Sequence, residues 1–158
     1  MQTADGGFGY WPGDTSSNLH ITPYVLRSLI AMRQYGGLVS DKMIRDTTTY
    51  LEKNYSNAET IDDRADILWA LAKNGSGKNL LQNFSVSDTT LLSRHGLLAY
   101  TYALVLTDRT AYKDIIESNI RALQIEMKDL TTSSYRYRDR LSDVGIFASL
   151  LMDAGYEQ

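Results

Sequence analysis

The sequence predicts an all-α fold, because apolar helical segments alternate with amphipathic ones along most of its 158 residues. The apolar segments begin near residues 22, 64, 96 and 142, and few stretches show the alternation typical of a strand. The first, second and last of them end in an apolar run followed by glycine, at Gly36, Gly75 and Gly155. Stacked helical hairpins, each with an inner and an outer helix, produce such a pattern. The periodicity leaves open whether the stack is an open solenoid or a closed α/α ring.

Composition and charge are those of one globular domain, residues 1–158, with a net charge of −3. This charge argues against nucleic acid as a partner, because phosphate binding needs a basic surface. The absence of cysteine excludes disulfides, thiol catalysis and thiolate metal sites in this chain. No apolar run is long enough to span a bilayer, and no signal peptide is recognisable. An aromatic turn with nothing before it to pack against suggests a segment of a longer parent, with Met1 internal.

The opening stretch is a turn rich in glycine and aromatic residues, and we call residues 2–13 the glycine–aromatic turn. Its glycines and proline exclude a regular helix or a central strand, and the rings are predicted to be buried as a plug at one end of the helices. An acidic residue before the first glycine suits a tight turn, since its carboxylate accepts hydrogen bonds from amides just downstream. The motif residues are Asp5, Gly6, Gly7, Phe8, Gly9, Tyr10, Trp11, Pro12 and Gly13.

The first helices are bounded by capping signals. Thr22 is predicted as the N-cap of the first helix, with Pro23 at its first position and Gly36 at its end. Ser40 is predicted to cap a second, amphipathic helix. A third and nearly all-apolar helix is predicted over residues 62–73, before Asn74 and Gly75.

The second half of the chain continues the same alternation. A short amphipathic piece is followed by an apolar helix, an amphipathic helix, a polar break and a last apolar helix that Gly155 ends. These five segments are predicted at residues 79–84, 91–106, 111–127, 131–134 and 141–154.

Asp62, Asp63 and Asp66 form the DDxxD spacing that chelates magnesium in some diphosphate-using enzymes. Carboxylates four residues apart share one helix face, which is the physical basis of that function. The segment also opens a helix, where acidic residues cap free amides and complement the helix dipole. With no second acidic cluster to share the metal, capping is the preferred interpretation, and no metal or cofactor is predicted.

The two histidines are weak catalytic candidates, because neither has a useful Ser, Cys or metal-ligand neighbour in sequence. His20 is predicted to be exposed, and His95 to be a packed or capping residue at the start of an apolar helix. Tyr135, Arg136 and Arg138 belong to a basic aromatic segment that could bind an anionic polymer or single-stranded nucleic acid. The favoured interpretation is a solvated loop before a helix, neutralised in part by Asp139 and Asp143.

The glycine–aromatic turn and the helix after it resemble the thioester-domain region of bacterial α2-macroglobulins. The likeness rests on Gln2, the motif Asp5 to Gly13, and the segment Ile21-Thr22-Pro23-Tyr24-Val25-Leu26, which departs from the family's Trp-Leu-Thr-Ala-Tyr pattern. The ending, from Tyr137-x-x-Arg140 to Leu150-Leu151, is similar to the late apolar helix of that family.

The resemblance implies an α/α-toroid, a partial ring of inner and outer hairpins, in a bait-and-trap protease inhibitor. It also implies that this chain is a non-catalytic part, since the family's thioester cysteine is missing here. The implied partners are the remaining domains of the parent and, through the parent, target proteases. The implied location is the periplasm or cell surface, with a secreted or lipid-anchored parent.

Two other functions remain open from the residues. One is a toroid enzyme, either a terpenoid cyclase, which needs an acidic cluster, or a polysaccharide lyase, which needs Tyr, Arg and His in one groove. The other is a helical-repeat module that binds a protein partner. If the chain lacks the first hairpins of a ring, its cut edge exposes apolar surface, and we expect self-association through that edge.

Overall fold

The computed structural model describes residues 1–84, 90–129 and 137–156, without the side chains of residues 127–129 and 137–141. Within these residues the protein is mostly helical, which confirms the all-α prediction. A single antiparallel bridge, between Gln2 and Phe8, is the only β-type pairing found there. The helices are α1 (Ile21–Gln34), α2 (Asp41–Asn54), α3 (Ile61–Lys73), α4 (Lys78–Gln82), α5 (Arg94–Asp108), α6 (Lys113–Asp129) and α7 (Tyr137–Asp153), with a 3-10 turn at Tyr55–Asn57.

The four apolar helices pack side by side in the order α1, α3, α5, α7. The most extensive contact joins α3 to α5. Helix α2 packs on α1 and α3, α4 lies against α3 and α5, and α6 packs on α5. Apolar helices therefore form one row and the amphipathic ones flank it, as the alternation in sequence predicts.

Two clusters of buried side chains hold the row together. One lies on α1, α2 and α3 and includes Leu26, Leu51 and Leu71, all without exposed surface. The other extends from α3 through α5 to α6 and α7 and includes Leu98 and Leu123. Because α3 contributes to both, truncating a leucine in it would cost about 2 to 5 kcal/mol on either side.

The predicted start of the first helix is wrong by two residues. Helix α1 begins at Ile21, and His20 occupies its N-cap position without a side-chain bond. Asn18 serves instead, since its Oδ1 accepts hydrogen bonds from the backbone N–H groups of His20 and Ile21, both at 2.9 Å. Thr22 is fully buried, accepts a hydrogen bond from the N–H of Phe8 and donates one to the carbonyl of Asn18. Its hydroxyl therefore ties the turn to the helix.

The glycine–aromatic turn is a plug only in part. Phe8 is buried, but Tyr10 and Trp11 are 55% and 73% exposed. These two rings follow the bridge to Gln2, and Asp14 accepts a hydrogen bond from the N–H of Trp11, which closes the loop on itself in solvent. The predicted burial of Tyr10 and Trp11 is therefore wrong.

Side chains of the turn anchor it to α2. The amide of Gln2 donates to the carbonyls of Gly6 and Met43 and to the hydroxyl of Thr47, at 3.0 to 3.2 Å. Gly6 has a φ of +96°, and a Cβ at this position would lie 2.6 Å from the carbonyl oxygen of Asp46. Glycine is therefore required both by the backbone and by the close approach to α2.

Asp5 is the hydrogen-bonding centre of the turn, as its position before Gly6 predicts. Its carboxylate accepts hydrogen bonds from the hydroxyls of Ser17 and Thr3 and from the N–H of Gly7. The bond from Ser17, with those from Thr3 and Gly7, lowers the pKa of Asp5 in spite of the opposing effect of burial.

Most other helix limits agree with the sequence to within a few residues. Thr60 and Asp63 form a capping box at the start of α3, and Ser93 caps α5. Gly36, Gly75 and Gly155 each lie just after a helix, and each of these glycines has a positive φ. The last helix begins at Tyr137, four residues before the predicted start. Among the described residues, no helix has the length and apolar character that crossing a bilayer requires.

Candidate functional site

Five charged side chains connect four helices of the row near one end of α5. Arg27 lies on α1, Asp66 on α3, Arg94 and His95 at the start of α5, and Asp143 on α7. Each is within ion-pair distance of the next, in the order Arg27, Asp66, His95, Asp143, Arg94. We call these five residues the ion-pair row. They are the densest group of paired charges in the part of the chain that the structure describes.

The pair between Arg27 and Asp66 lies in the interior. Nη1 of Arg27 is 2.9 Å from Oδ1 of Asp66, and each side chain is only 13% exposed. Burial lowers the pKa of Arg27, and the charge of Asp66 opposes that effect. Burial alone would raise the pKa of Asp66, but the hydrogen bond from His95 and the charge of Arg27 together hold it below its ordinary value. Asp66 is therefore ionised at neutral pH, and Arg27 carries the positive charge that a guanidinium keeps in proteins.

His95 lies between two carboxylates on different helices. Its Nε2 is 3.2 Å from Oδ2 of Asp66, and its Nδ1 is 3.4 Å from Oδ1 of Asp143. The hydrogen bond with Asp66 raises the pKa of His95; burial opposes this, and the charges of Asp66 and Asp143 reinforce it. The imidazole is 41% exposed, so a proton can reach it from solvent.

Arg94 completes the row on the α7 side and borders a cleft. Its Nη2 lies 2.7 Å from Oδ2 of Asp143, and its Nε donates a second bond of 2.8 Å to the same oxygen. The cleft has a volume of about 490 Å³, and Arg94 and His95 line it together with Ser93, Ser142 and Asp143. Ser93 is engaged as a helix cap, because its hydroxyl accepts a hydrogen bond from the N–H of Gly96.

The other histidine forms a separate, exposed pair. Nδ1 of His20 is 3.0 Å from Oδ1 of Asp63, and the His20 side chain is 67% exposed, as predicted. Burial alone would raise the pKa of Asp63, but hydrogen bonds from His20 and Thr60 lower it below its ordinary value. His20 and Asp63 also border a second polar cleft of about 510 Å³, which Glu59 and Tyr50 help to line.

The three aspartates of the DDxxD segment have different partners. Asp62 accepts a hydrogen bond from the N–H of Ser93, at 3.0 Å. Asp63 accepts bonds from the backbone and hydroxyl of Thr60 in the capping box, and Asp66 pairs with Arg27 and His95. In the described residues, no group of three or more His, Asp or Glu side chains is placed to hold a metal ion. The three aspartates instead make capping hydrogen bonds and ion pairs.

A stack of aromatic rings lies beside the ion-pair row. The guanidinium of Arg27 lies 3.9 Å above the ring of Trp69, and Trp69 stacks on Tyr102 with a centroid distance of 4.8 Å. The hydroxyl of Tyr102 donates to Asp153 of α7 at 3.1 Å. Charge, ring stacking and hydrogen bonding thus connect all four helices of the row a second time.

The ring nitrogens of His95 and the guanidinium of Arg94 are all engaged in contacts between helices. A general base needs a free ring nitrogen, and both nitrogens of His95 face carboxylates. The two cationic groups at the cleft, Arg94 and His95, are both paired with Asp143. A lyase would need a tyrosine in the same groove, and no tyrosine is among the described residues that border it.

Several of the candidate residues predicted from the sequence lie outside the site or outside the described residues. Tyr135 and Arg136 are not described, and Arg138 lies in α7 with its side chain not described. The carboxylate of Asp143 pairs with Arg94 and His95. The side chains of the basic segment that it is expected to neutralise in part lie outside the described part of the structure, so that expectation stays a prediction. The prediction for His20 and His95 concerns their neighbours in sequence. In space, the carboxylates of Asp63, Asp66 and Asp143 lie beside them.

Sequence reasoning did not select Arg27, Arg94 or Asp143 as site residues. A signal was present for two of them, since Arg27 and Asp143 interrupt helices that are otherwise nearly all apolar. Charged residues at such positions are rarely buried without a partner of opposite charge. Which partner each one meets depends on the packing of helices distant in sequence.

No protein-family model, curated protein or solved structure matches this chain. The structure describes it as an all-α protein in which the ion-pair row connects four helices.

Proposed function

We propose that this chain is a non-catalytic part of a bacterial α2-macroglobulin-like protease inhibitor, acting by bait and trap. Within it the chain is a structural scaffold of the α/α-toroid domain, and the remaining domains of the parent are its partners. Target proteases are met through the parent, whose place is the periplasm or cell surface. The absence of cysteine means that a thioester, if the parent has one, is formed elsewhere in the parent.

The observation that carries the proposal is the way in which the glycine–aromatic turn is built. The motif residues Gln2, Asp5 and Gly6 each have a specific structural task in joining the turn to α2 or in closing it. These individual tasks support the resemblance, because the motif residues shared with the family pattern are ones that the turn uses. The row of apolar helices flanked by amphipathic ones is also what one sector of a toroid requires.

Two further features support a scaffold over an enzyme. His95 is held between two carboxylates, and the acidic segment 62–66 is engaged in capping and ion pairs. The exposed rings of Tyr10 and Trp11 give the turn an apolar tip, which suits contact with a neighbouring domain of the parent. A contact of this kind assigns a function to two motif residues that contribute little to the core of the chain.

The proposal is tested by determining the complete coding sequence to which the chain belongs. We expect macroglobulin-type β domains in the same open reading frame, preceded by a secretion or lipoprotein signal. A Cys-x-x-Gln motif ahead of the glycine–aromatic turn would make the parent a covalent trap, and its absence would leave a trap that works by enclosure. An open reading frame with no such β domains would overturn the proposal.

A further inference from the structure

We propose that His95 is a proton-dependent latch between α3 and α7. With both ring nitrogens protonated it joins Asp66 to Asp143 across the start of α5, and loss of one proton loosens the first half of α7. The latch is a conformational property of this chain and does not depend on the proposed role in an inhibitor.

The geometry requires two N–H groups on the ring. Nε2 faces Asp66 at 3.2 Å and Nδ1 faces Asp143 at 3.4 Å. A neutral imidazole has one N–H and one lone pair, so it can donate to only one of these carboxylates. The other nitrogen would then present a lone pair to a carboxylate oxygen, which is repulsive. The bridge as a whole therefore exists only in the imidazolium form.

The charges around His95 determine which helix is released. Among the described residues, those that face it are Asp66 from α3, Asp143 from α7, and its neighbour Arg94 on α5. Arg27 from α1 reaches it through Asp66, and Asp62 of α3 lies beside the adjacent Gly96. When His95 loses its proton, Asp66 keeps its buried partner Arg27, so the contact between α1 and α3 remains. Of the described partners of Asp143, Arg94 on α5 remains, so the bridge from α7 to α3 is lost while the contact from α7 to α5 is kept.

The rest of α7 has other anchors. Leu150 is fully buried, Ala154 just beyond the helix is buried with it in the cluster on α5, and Asp153 accepts a hydrogen bond from Tyr102. These contacts lie about two to three turns beyond Asp143 along the helix. We therefore expect the loosening to be confined to the region of Asp143, with the end of α7 remaining docked.

The direction of the pH response follows from the raised pKa of His95. Its ordinary value is 6.5, and the folded value lies above it. Such a group stabilises the folded state fully below 6.5, and the stabilisation is lost as the pH rises through the folded pKa. The local opening constant of α7 should rise about tenfold for each unit of pKa difference between the bridged and the opened state.

The test is an NMR titration of the ¹⁵N-labelled chain between about pH 5.5 and about pH 8.5. It follows the His95 ring signals and the hydrogen exchange of backbone amides, corrected for intrinsic rates. We expect His95 to titrate above 6.5. We also expect the amides near Asp143 to lose protection with the same midpoint while those near Leu150 do not. A His95 midpoint at or below 6.5 would overturn the proposal. So would an exchange rate of the amides near Asp143 that does not change as His95 titrates.

Variants separate the latch from a general effect of pH. His95→Gln should remove the pH response of α7, and the matched variant His20→Gln, in the exposed pair with Asp63, should retain it. If His95→Gln does not fold, Asp143→Asn provides the same test, because removing one carboxylate should lower the His95 midpoint and abolish the response. An unchanged midpoint and response in Asp143→Asn would contradict the proposal.

Discussion

Arg27 and Asp66 form a buried ion pair that joins α1 to α3, with 2.9 Å between Nη1 and Oδ1. The two residues are separated by 39 positions in sequence, and neither helix reveals the other's charge by its own pattern. The pair also joins two sets of contacts. Asp66 forms a second ion pair with His95, and the guanidinium of Arg27 lies over the ring of Trp69. Its integrity therefore affects both the charged and the aromatic contacts of the row.

Removing the charge of Asp66 should destabilise the chain strongly. Asp66→Asn leaves Arg27 buried without a countercharge, and breaking a pair of this kind costs about 3 kcal/mol or more. The matched control is Asp41→Asn, which breaks the exposed pair with Arg33 and should change the free energy of unfolding by at most about 0.5 kcal/mol. Urea denaturation measures both. Equal effects of the two substitutions would show that the buried pair contributes no more to the free energy of unfolding than the exposed one.

Gly6 and Gly13 offer a matched test of how closely the turn approaches α2. Their φ angles are +96° and +97°, but a Cβ at Gly6 would strike the carbonyl of Asp46, whereas none of the described atoms lies within 4 Å of one at Gly13. Gly13→Ala should therefore cost about 1 kcal/mol for the backbone alone, and Gly6→Ala about 2 to 3 kcal/mol. Thermal and urea unfolding compare them. Equal costs would mean that the turn can move away from α2.

The hydroxyl of Thr22 should be important in spite of its small size. Thr22→Val keeps the shape but leaves the N–H of Phe8 without its acceptor, which costs about 1 to 3 kcal/mol in a buried site. Thr49→Val, on the exposed face of α2, is the control and should be nearly neutral. If Thr22→Val unfolds at the same urea concentration as the unmodified chain, the proposed tie between the turn and α1 is wrong.

The rings of the turn should divide into one that stabilises the chain and one that does not. Phe8→Ala removes a buried ring and should cost about 3 to 5 kcal/mol. Trp11→Ala removes an exposed ring and should change the free energy of unfolding by no more than about 0.5 kcal/mol. The proposed contact of Trp11 is with other domains, which are absent when the chain is studied alone. A large loss of stability in Trp11→Ala under these conditions would contradict the exposed position of the ring.

Much of the fold could be predicted from local pattern. The helices, their alternation and the glycines that end them depend on residues close together in sequence. The start of α1 is harder to predict, because Thr22 has the residue type of a cap, while Asn18, four residues before it, provides the capping oxygen. The exposure of Tyr10 and Trp11 is not predictable in this way, because an apolar ring indicates a preference for burial but not whether a neighbouring element is present to cover it.

The candidate site was harder to predict, because it consists of contacts between distant residues. His20 and His95 stood out by residue type, but their carboxylate neighbours come from other helices. Asp66 was noticed as part of a metal-binding spacing, whereas its partners are cationic side chains on α1 and α5. The sequence indicated where unusual charges lie, and the packing of the helices decided which of them meet.

The most direct test of the central claim is a trapping assay with the full product of the gene that encodes this chain. A protease is mixed with that product, and its activity is measured on a small peptide substrate and on a large protein substrate. An enclosing inhibitor predicts that activity on the large substrate is lost while activity on the small one is kept. If the protease retains both activities, or loses both, the chain does not belong to a protein of the macroglobulin type.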